Sequence, residues 1–301
     1  MSPSQGRHLA GETPRLFQRH TTSFGIVTDS LSPLSSSALD AYLSRIGVDG
    51  RPDCDLDGLT LLHHAHLFNI PFDNLDVPLG ITITLDPDDV FDKIVVRRRG
   101  GFCYEHNSLM ASVLLTLGFD VAMLSSRVAS GPRGWGPPFD HMTLRVHLDR
   151  PYLVDVGFGD SYRDPLPVGE WHEDSNGSTY QGLERDDGLV VQRRMEDRRS
   201  GHLYLTDPTP RRLAEFDPMC TFQQTSPDVW FTQTWVVTLP LRDGRMTLSP
   251  GSFKRTRAGI VQQTDIDSVE QTESILWNRF GMTEIRLPDT FPISRPKRPR
   301  T

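Results

Sequence analysis

Cysteine is scarce in this sequence. The 301 residues include three, Cys54, Cys103 and Cys220, which form no close pair and no Cys-x-x-Cys motif. An odd and widely spaced set argues against a disulfide framework and favours a reducing compartment. We therefore expect a cytoplasmic protein without structural disulfides.

Long apolar runs and an excess of positive charge are also missing. The longest apolar stretches, such as SVLLTL at 112–117, fall far short of the roughly 20 residues that span a bilayer. The N-terminus has no apolar core of the kind found in secretory signals. With 32 Lys and Arg against 39 Asp and Glu, the formal net charge is −7. That charge argues against a nucleic-acid partner, and we predict no membrane partner; the oligomeric state stays open.

A metal site is not expected either. His63 and His66 are three residues apart in a predicted helix and could begin one, but no second pair of ligands follows at suitable spacing. Packing against a helix face is the alternative use of these two histidines.

The chain has a helical first third, a β-rich middle and a mixed end. Apolar residues at three- and four-residue intervals predict helices over SSALDAYLSRI, over DGLTLLHHAHLFN, after Cys103 and in DSVEQTESILWNRF. Beyond Gly118 the period becomes two, which predicts a barrel or sheet. We divide the chain into five parts: a flexible extension (1–36), a helical bundle that carries Cys103 (37–118), a β-barrel (119–215), an α/β lid (216–290) and a basic tail (291–301).

Cys103 is the first candidate for chemistry. It stands in RRRGGFCYEHN, residues 97–107, between two glycines that allow a sharp turn and a predicted helix. The unpaired N–H groups and the positive dipole end of a helix N-terminus favour a thiolate. A small buried core residue is the alternative, because free cysteine is among the most buried residue types.

A base and an orienting carboxylate for such a nucleophile lie on one predicted hairpin. His141 belongs to the strand HMTLRVHL and Asp155 to the strand PYLVDVGF. Two registers are open. If Val146 pairs with Tyr152, Asp155 lies opposite Thr143 and His141 is its diagonal neighbour, roughly 7–8 Å away at the backbone. A tighter loop shifts Asp155 by two positions and leaves His141 too distant.

These segments resemble the arylamine N-acetyltransferase family. RGGFCYEHN resembles the R-G-G-x-C-[FY]-E-x-N signature of that family, DHMTLRV its histidine strand and YLVDVGFG its aspartate strand. IPFDNLDV at 70–77 resembles its I-P-F-E-N-L segment. The resemblance runs from about residue 37 to about residue 287.

The resemblance implies a Cys-His-Asp triad in which Cys103 accepts the acetyl group, His141 exchanges its proton and Asp155 orients the histidine. It also implies that Arg99 pairs with the acid of the P-F-E-N segment, here Asp73, as structural support for the cysteine turn. The implied fold is α+β, with an N-terminal helical bundle, a central β-barrel and a C-terminal α/β lid. The triad would lie at the junction of the first two units, in a core like that of cysteine proteinases.

A cleft for the acceptor and for CoA is also implied. Phe72 would line the acceptor pocket, and Phe231, in CTFQQTSPDVWF, would reach the acceptor or CoA. The segment SGPRGWGPP, with Gly131 and Gly134, would border the CoA channel. A rigid surface loop is the alternative interpretation of that segment.

The implied activity is ping-pong transfer of an acetyl group from the co-substrate acetyl-CoA to an arylamine, arylhydrazine or N-hydroxyarylamine through a thioester on Cys103. No metal cofactor is implied. Two alternatives stay open: an amide synthase that closes a polyketide macrolactam, and a cysteine hydrolase or transglutaminase-like enzyme. Cys54 and Cys220 are not expected to take part.

Overall fold

The computed structural model describes residues 31–131, 134–195 and 200–294. A π-helix (Asp92–Val96) follows α3, and a 3₁₀ helix (Leu213–Phe216) precedes α5. None of the helices in these ranges is long and apolar enough to cross a membrane. The α-helices are α1 (Ser36–Ile46), α2 (Leu56–Asn69), α3 (Pro87–Phe91), α4 (Cys103–Thr116), α5 (Asp217–Thr225), α6 (Trp230–Gln233) and α7 (Val269–Phe280).

The strands form two antiparallel sheets. The first contains β2 to β9 and the second contains β1 and β10 to β13. Their bounds are β1 (Phe72–Asp73), β2 (Asp120–Val128), β3 (His141–His147), β4 (Pro151–Val154), β5 (Leu166–Pro167), β6 (Trp171–Glu173), β7 (Thr179–Arg185), β8 (Gly188–Arg194), β9 (Ser200–Arg211), β10 (Val237–Leu241), β11 (Gly244–Ser249), β12 (Ser252–Arg257) and β13 (Ile260–Asp265).

The predicted helices are confirmed, and side-chain caps explain where they begin. The hydroxyl of Ser35 accepts from the backbone N–H of Ala38 at the start of α1, and the carboxylate of Asp55 accepts from Gly58 N–H at the start of α2. Such caps satisfy N–H groups that lack a partner within the helix. Gly47, with φ 72°, ends α1 in the left-handed conformation that glycine adopts at low cost.

The first sheet is a nearly closed eight-stranded barrel with the strand order β5-β4-β3-β2-β9-β8-β7-β6. A bridge between Val168, just after β5, and Gly182 of β7 brings the two ends of the sheet together. The barrel packs against α4 through β2 and β3. Consequently the N-terminus of α4 and the β3–β4 hairpin meet at the junction of helices and barrel.

The second sheet belongs to the C-terminal unit, with one exception in the chain order. Its first strand, β1, comes from the IPFDNLDV segment and pairs Asp73 with Val237 of β10. A separate core lies between this sheet and α7, built around Trp235, Leu248 and Leu276. The segment that follows α2 is therefore clamped between the helical unit and the C-terminal sheet.

Two predicted boundaries need correction. Residues 1–30 and 295–301 lie outside the described residues, but Leu31 is buried in the main core and Leu34 N–H donates to the hydroxyl of Thr116. The flexible extension therefore does not reach residue 36. At the other boundary, Phe216, Cys220 and, on α6, Phe231 pack into the main core with the helices, so that core extends beyond the predicted start of the lid at 216.

Candidate active site

Cys103 is the first residue of α4 and is half-buried. The carboxylate of Glu105 accepts from Phe102 N–H at 2.9 Å, which fixes the backbone directly before the cysteine. The left-handed residue of this turn is Arg98, with φ 53°, and neither Gly100 nor Gly101 has a positive φ. Both glycines are needed for close approach: a Cβ on Gly100 would lie 2.0 Å from the carbonyl oxygen of Pro71. The expectation that they make the turn is wrong.

The β3–β4 hairpin adopts the register that brings histidine and aspartate together. Val146 pairs with Tyr152, so Asp155, one residue past β4, continues the register opposite Thr143. The Nε2 atom of His141 lies 2.8 Å from Asp155 Oδ2, and both side chains are buried. Cys103 lies close enough to the same imidazole to raise its pKa. Because Nε2 faces the aspartate, Nδ1 is the nitrogen left for the thiol.

The charges of this pair stabilise each other. Burial alone would lower the pKa of His141, but the charge and hydrogen bond of Asp155, together with the contact to Cys103, raise it to about 10. Burial alone would raise the pKa of Asp155, yet His141 and hydrogen bonds from Asn107 and Gly157 hold it below its usual value. The geometry and the charges together describe an imidazolium held against a carboxylate.

Asn107 and Gly157 allow Asp155 to pack closely against α4, the helix that begins at Cys103. Asn107, one turn along α4, donates to Asp155 Oδ1 at 3.1 Å and to the carbonyl of Met142 at 2.7 Å. Its own side-chain oxygen accepts from Val156 N–H. A Cβ on Gly157 would lie 2.6 Å from the Cα of Cys103, so only glycine lets this strand pass so close. The last letter of the C-[FY]-E-x-N signature was the signal for Asn107, whose role the sequence analysis did not assign.

A buried ionic cluster underlies the cysteine turn. Lys93 Nζ lies 2.6 Å from Asp76 Oδ2 and 2.8 Å from Glu105 Oε1, and Arg99 Nη2 lies 2.7 Å from Asp76 Oδ1. The partner of Arg99 is thus Asp76 and not Asp73, which corrects the pairing expected from the resemblance. Asp76 lies in the turn after β1.

Asp73 supports the same turn in a different way. Its backbone N–H donates to the carbonyl of Gly101 at 3.0 Å, and its Oδ1 accepts from Leu75 N–H at 2.9 Å. Among the described residues its Oδ2 has no hydrogen-bond partner, and burial raises the pKa of this carboxyl. The contribution of Asp73 is therefore made through the backbone pairing of β1 with the cysteine loop.

Histidines of α2 pack against the residues of the active site. His63 Nε2 lies 3.2 Å from the carbonyl oxygen of Asp155. His66 bonds Tyr42 through Nδ1 and His106 through Nε2, each at 2.8 Å. Burial lowers the pKa of His63 to about 4, which keeps it neutral at pH 7. Across the part of the chain that the structure describes, no group of three or more His, Cys, Asp or Glu could hold a metal ion.

Aromatic rings pack together next to the turn before Cys103. The ring of Phe231, on α6, lies 5.0 Å from that of Phe102 and 6.2 Å from that of Phe72. Asn74 holds α6 in place, since its side-chain amide donates to the carbonyls of Phe231 and Thr234. The structure therefore brings two of the four predicted cleft residues, Phe72 and Phe231, next to the residue before the cysteine.

Gly131 and Gly134 lie on a surface turn. Both have positive φ and are exposed, and Gly134 N–H donates to the carbonyl of Gly131. Among the hydrogen bonds of the described residues, none joins them to Cys103 or His141. A border of a CoA channel at these glycines stays a prediction. Of the other cysteines, Cys54 is exposed and Cys220 is buried.

Comparison with known proteins extends these observations. A family model described as N-acetyltransferase matches residues 55–286. The chain is 35% identical over 259 residues to an arylamine N-acetyltransferase of Mycolicibacterium smegmatis, covering 81% of this chain and 91% of that relative. It is also 34% identical over 183 residues to proansamycin X synthase of Amycolatopsis mediterranei, covering 59% of this chain and 70% of that relative.

A solved structure gives the same likeness in three dimensions. The arylamine N-acetyltransferase of Mycobacterium marinum in complex with CoA superposes with a TM-score of 0.74 at 32% identity. The match covers 81% of this chain and 92% of that protein. The helical unit, the barrel and the C-terminal sheet are therefore an arrangement that a CoA-binding protein shares.

Proposed function

Because this chain belongs to the arylamine N-acetyltransferase family and is an acyltransferase, we propose that it moves acetyl groups by a ping-pong mechanism through a thioester on Cys103. The co-substrate is acetyl-CoA and the acceptor is an arylamine, arylhydrazine or N-hydroxyarylamine. The observation that carries the proposal is the buried pair His141–Asp155 beside Cys103, with the cysteine at a helix N-terminus. The family assignment decides against the cysteine hydrolase alternative, and a cytoplasmic location stays a prediction.

In the first half-reaction the Cys103 sulfur attacks the carbonyl carbon of acetyl-CoA. His141 holds the proton that the thiol gives up, and Asp155 stabilises the resulting imidazolium. The oxyanion that develops needs donors, and the backbone N–H of Cys103 at the start of α4 is the first candidate. When the carbon–sulfur bond to CoA breaks, the proton on His141 passes to the departing CoA sulfur.

In the second half-reaction the acceptor amine attacks the acetyl-cysteine carbonyl. His141 takes a proton from the nitrogen as the new carbon–nitrogen bond forms and returns it to the Cys103 sulfur as the thioester breaks. The rings of Phe72 and Phe231 are apolar surfaces on which an aromatic acceptor would lie. The chemistry thus divides one transfer into two steps that use the same base.

The proposal is tested with Cys103→Ala. We expect this variant to lose acetyl transfer and to gain no acetyl mass on brief exposure to acetyl-CoA, with the fold retained. Cys54→Ala and Cys220→Ala are the matched controls, because one thiol is exposed on the surface and the other is buried in the core. Both should acquire one acetyl group and keep most activity. An active Cys103→Ala enzyme would contradict the proposal.

The similarity to proansamycin X synthase favours one other candidate, an amide synthase that closes a polyketide macrolactam. Such an enzyme would take its acyl group from a carrier protein. Stoichiometric acetylation of Cys103 by acetyl-CoA supports the transferase. No acetylation by acetyl-CoA, together with acylation by a carrier-bound acyl thioester, would favour the synthase.

A further inference from the structure

Tyr104, the residue directly after Cys103, connects the cysteine helix to the histidine strand. It is buried, with 1% of its surface exposed. Its hydroxyl donates to the carbonyl of Phe139 at 2.8 Å and to the carbonyl of Asp140 at 3.2 Å. Phe139 and Asp140 are the two residues directly before His141. A residue adjacent to the nucleophile therefore holds the backbone adjacent to the base.

The backbone that Tyr104 holds is strained. Phe139 has φ 65°, a left-handed conformation that costs free energy for a residue with a Cβ. Its N–H donates to Ser125 Oγ at 2.8 Å. Its ring packs edge-on against Phe216 at 5.1 Å, and Phe216 also contacts the ring of Tyr104 at 6.0 Å. Such a conformation persists only where its surroundings fix it, and here they fix both its carbonyl and its N–H.

Asp140 is held from its side chain as well. Its carboxylate accepts from the side-chain amide of Gln223 on α5 and from Val128 N–H on β2. Carbonyl oxygens only accept hydrogen bonds, so the single hydrogen of the Tyr104 hydroxyl is shared between the two carbonyls, with the shorter bond to Phe139. Burial raises the pKa of Tyr104, which keeps the phenol protonated at working pH. These bonds from Tyr104 to the carbonyls of Phe139 and Asp140, called the Tyr104 clamp, are therefore present at any pH at which the enzyme would act.

We propose that Tyr104 is a positioning residue that sets the separation and orientation of the Cys103 sulfur and the His141 imidazole. It does so by tying the first turn of α4 to the residues that lead into β3. The inference rests on the proposed function for the roles of the two residues. The inference depends on the two hydrogen bonds from Tyr104 to the residues directly before β3.

The test is Tyr104→Phe, which removes one hydroxyl and keeps the ring. We expect alkylation of Cys103 by iodoacetamide and acetylation by acetyl-CoA in a single turnover to slow by roughly tenfold, the effect of a lost hydrogen bond on a geometry that must be exact. The pH at which alkylation is half-maximal should move as well. A purely structural role would leave that pH unchanged.

Tyr152→Phe is the matched control. Tyr152 lies on the β3–β4 hairpin, and its hydroxyl donates to Asp149 at the end remote from His141, so rate and pH midpoint should stay at wild-type values. Ser125→Ala removes the bond to Phe139 N–H without altering α4 and should shift both readouts in the same direction as Tyr104→Phe. If Tyr104→Phe does not fold, Ser125→Ala decides the matter.

Three outcomes separate the two proposals. Wild-type rates and pH midpoint in Tyr104→Phe would overturn the clamp. Slower turnover with an unchanged alkylation midpoint would also overturn it, because the defect would then concern substrate. A wild-type enzyme that acetyl-CoA does not acetylate would contradict the proposed function, while the comparison of alkylation between variants would still measure the clamp.

Discussion

The cysteine helix α4 is supported by two buried polar systems of opposite kinds. One is the ionic cluster of Lys93, Arg99, Asp76 and Glu105, with two cations and two carboxylates. The other is a chain of neutral groups that runs from Tyr42 through His66 and His106 to the carbonyl of Pro71. The ionic cluster reaches the loop before Cys103 through Arg99, and the neutral chain ends on Pro71, whose carbonyl lies against Gly100 of that loop. The first system acts through charges and the second through neutral hydrogen bonds.

The hydrogen bonds of the neutral chain all point the same way, from the Tyr42 hydroxyl to the Pro71 carbonyl. The Pro71 carbonyl only accepts, so His106 Nε2 carries a hydrogen and, in the neutral ring, Nδ1 accepts. His66 must then donate from Nε2 and accept at Nδ1 from the hydroxyl of Tyr42. Burial lowers the pKa of His106 to about 4, and it lowers that of His66 well below its usual value. Both rings are therefore uncharged at pH 7.

The difference lies in what each system loses when one member is removed. A buried charge without its partner keeps its full desolvation penalty, whereas a neutral donor or acceptor loses a smaller hydrogen-bond term. The ionic cluster should be the more fragile support, and the histidine chain the more tolerant and the more sensitive to acid. Three measurements test this difference between the ionic cluster and the neutral chain.

The largest effect is expected from Lys93→Met. It leaves Glu105 and one oxygen of Asp76 without their cation in a site that is buried on all sides. We expect the free energy of unfolding, measured in urea, to fall by about 3–5 kcal/mol. Lys254→Met, at an exposed position of β12, is the control and should change it little. A loss of less than about 1 kcal/mol would show that the cluster gives no more stability than a surface pair.

A smaller effect is expected from His106→Phe. The ring stack on Phe72 is kept, but the Pro71 carbonyl loses its donor and His66 loses its acceptor. We expect a loss of about 1–3 kcal/mol in the same urea experiment. His147→Phe, at the exposed end of β3, is the matched control. A loss as large as that of Lys93→Met would remove the distinction between the two systems.

The ionic cluster contains a contact that could not be predicted from the sequence. Cys103, His141 and Asp155 each lie in a segment with a clear helix or strand pattern, but that pattern left the hairpin register open, and the triad was predicted from the family resemblance. The pattern could not choose between Asp73 and Asp76 for Arg99. That choice depends on the backbone of β1 pairing with Gly101 and β10, a long-range contact that leaves no local pattern.

The fold, too, could be predicted where a segment has a clear helix or strand pattern, but not where a contact between distant segments decides. Period-two runs such as HMTLRVHL gave the barrel strands, but β13 did not show in the pattern because all of its residues are exposed, which removes the alternation. The hairpin register stayed open because both loop lengths are sterically possible, and the packing of Asn107 and Gly157 against Asp155 favours one of them. Such packing is visible only when α4 and the barrel are assembled.

The smallest effect concerns acid. A histidine whose pKa falls from 6.5 unfolded to about 4 folded binds its proton more tightly in the unfolded chain, so its contribution to stability is complete above pH 6.5 and is lost as the pH falls toward 4. Between about pH 7 and about pH 5.5, one such group costs about 1 kcal/mol. The wild type should therefore lose about that much more than His106→Phe over this range, measured by urea unfolding at each pH. Lys254→Met, which leaves both buried systems intact, should lose as much as the wild type. If His106→Phe loses as much as the wild type, the acid sensitivity comes from His66, from His63 or from the carboxylates and not from His106.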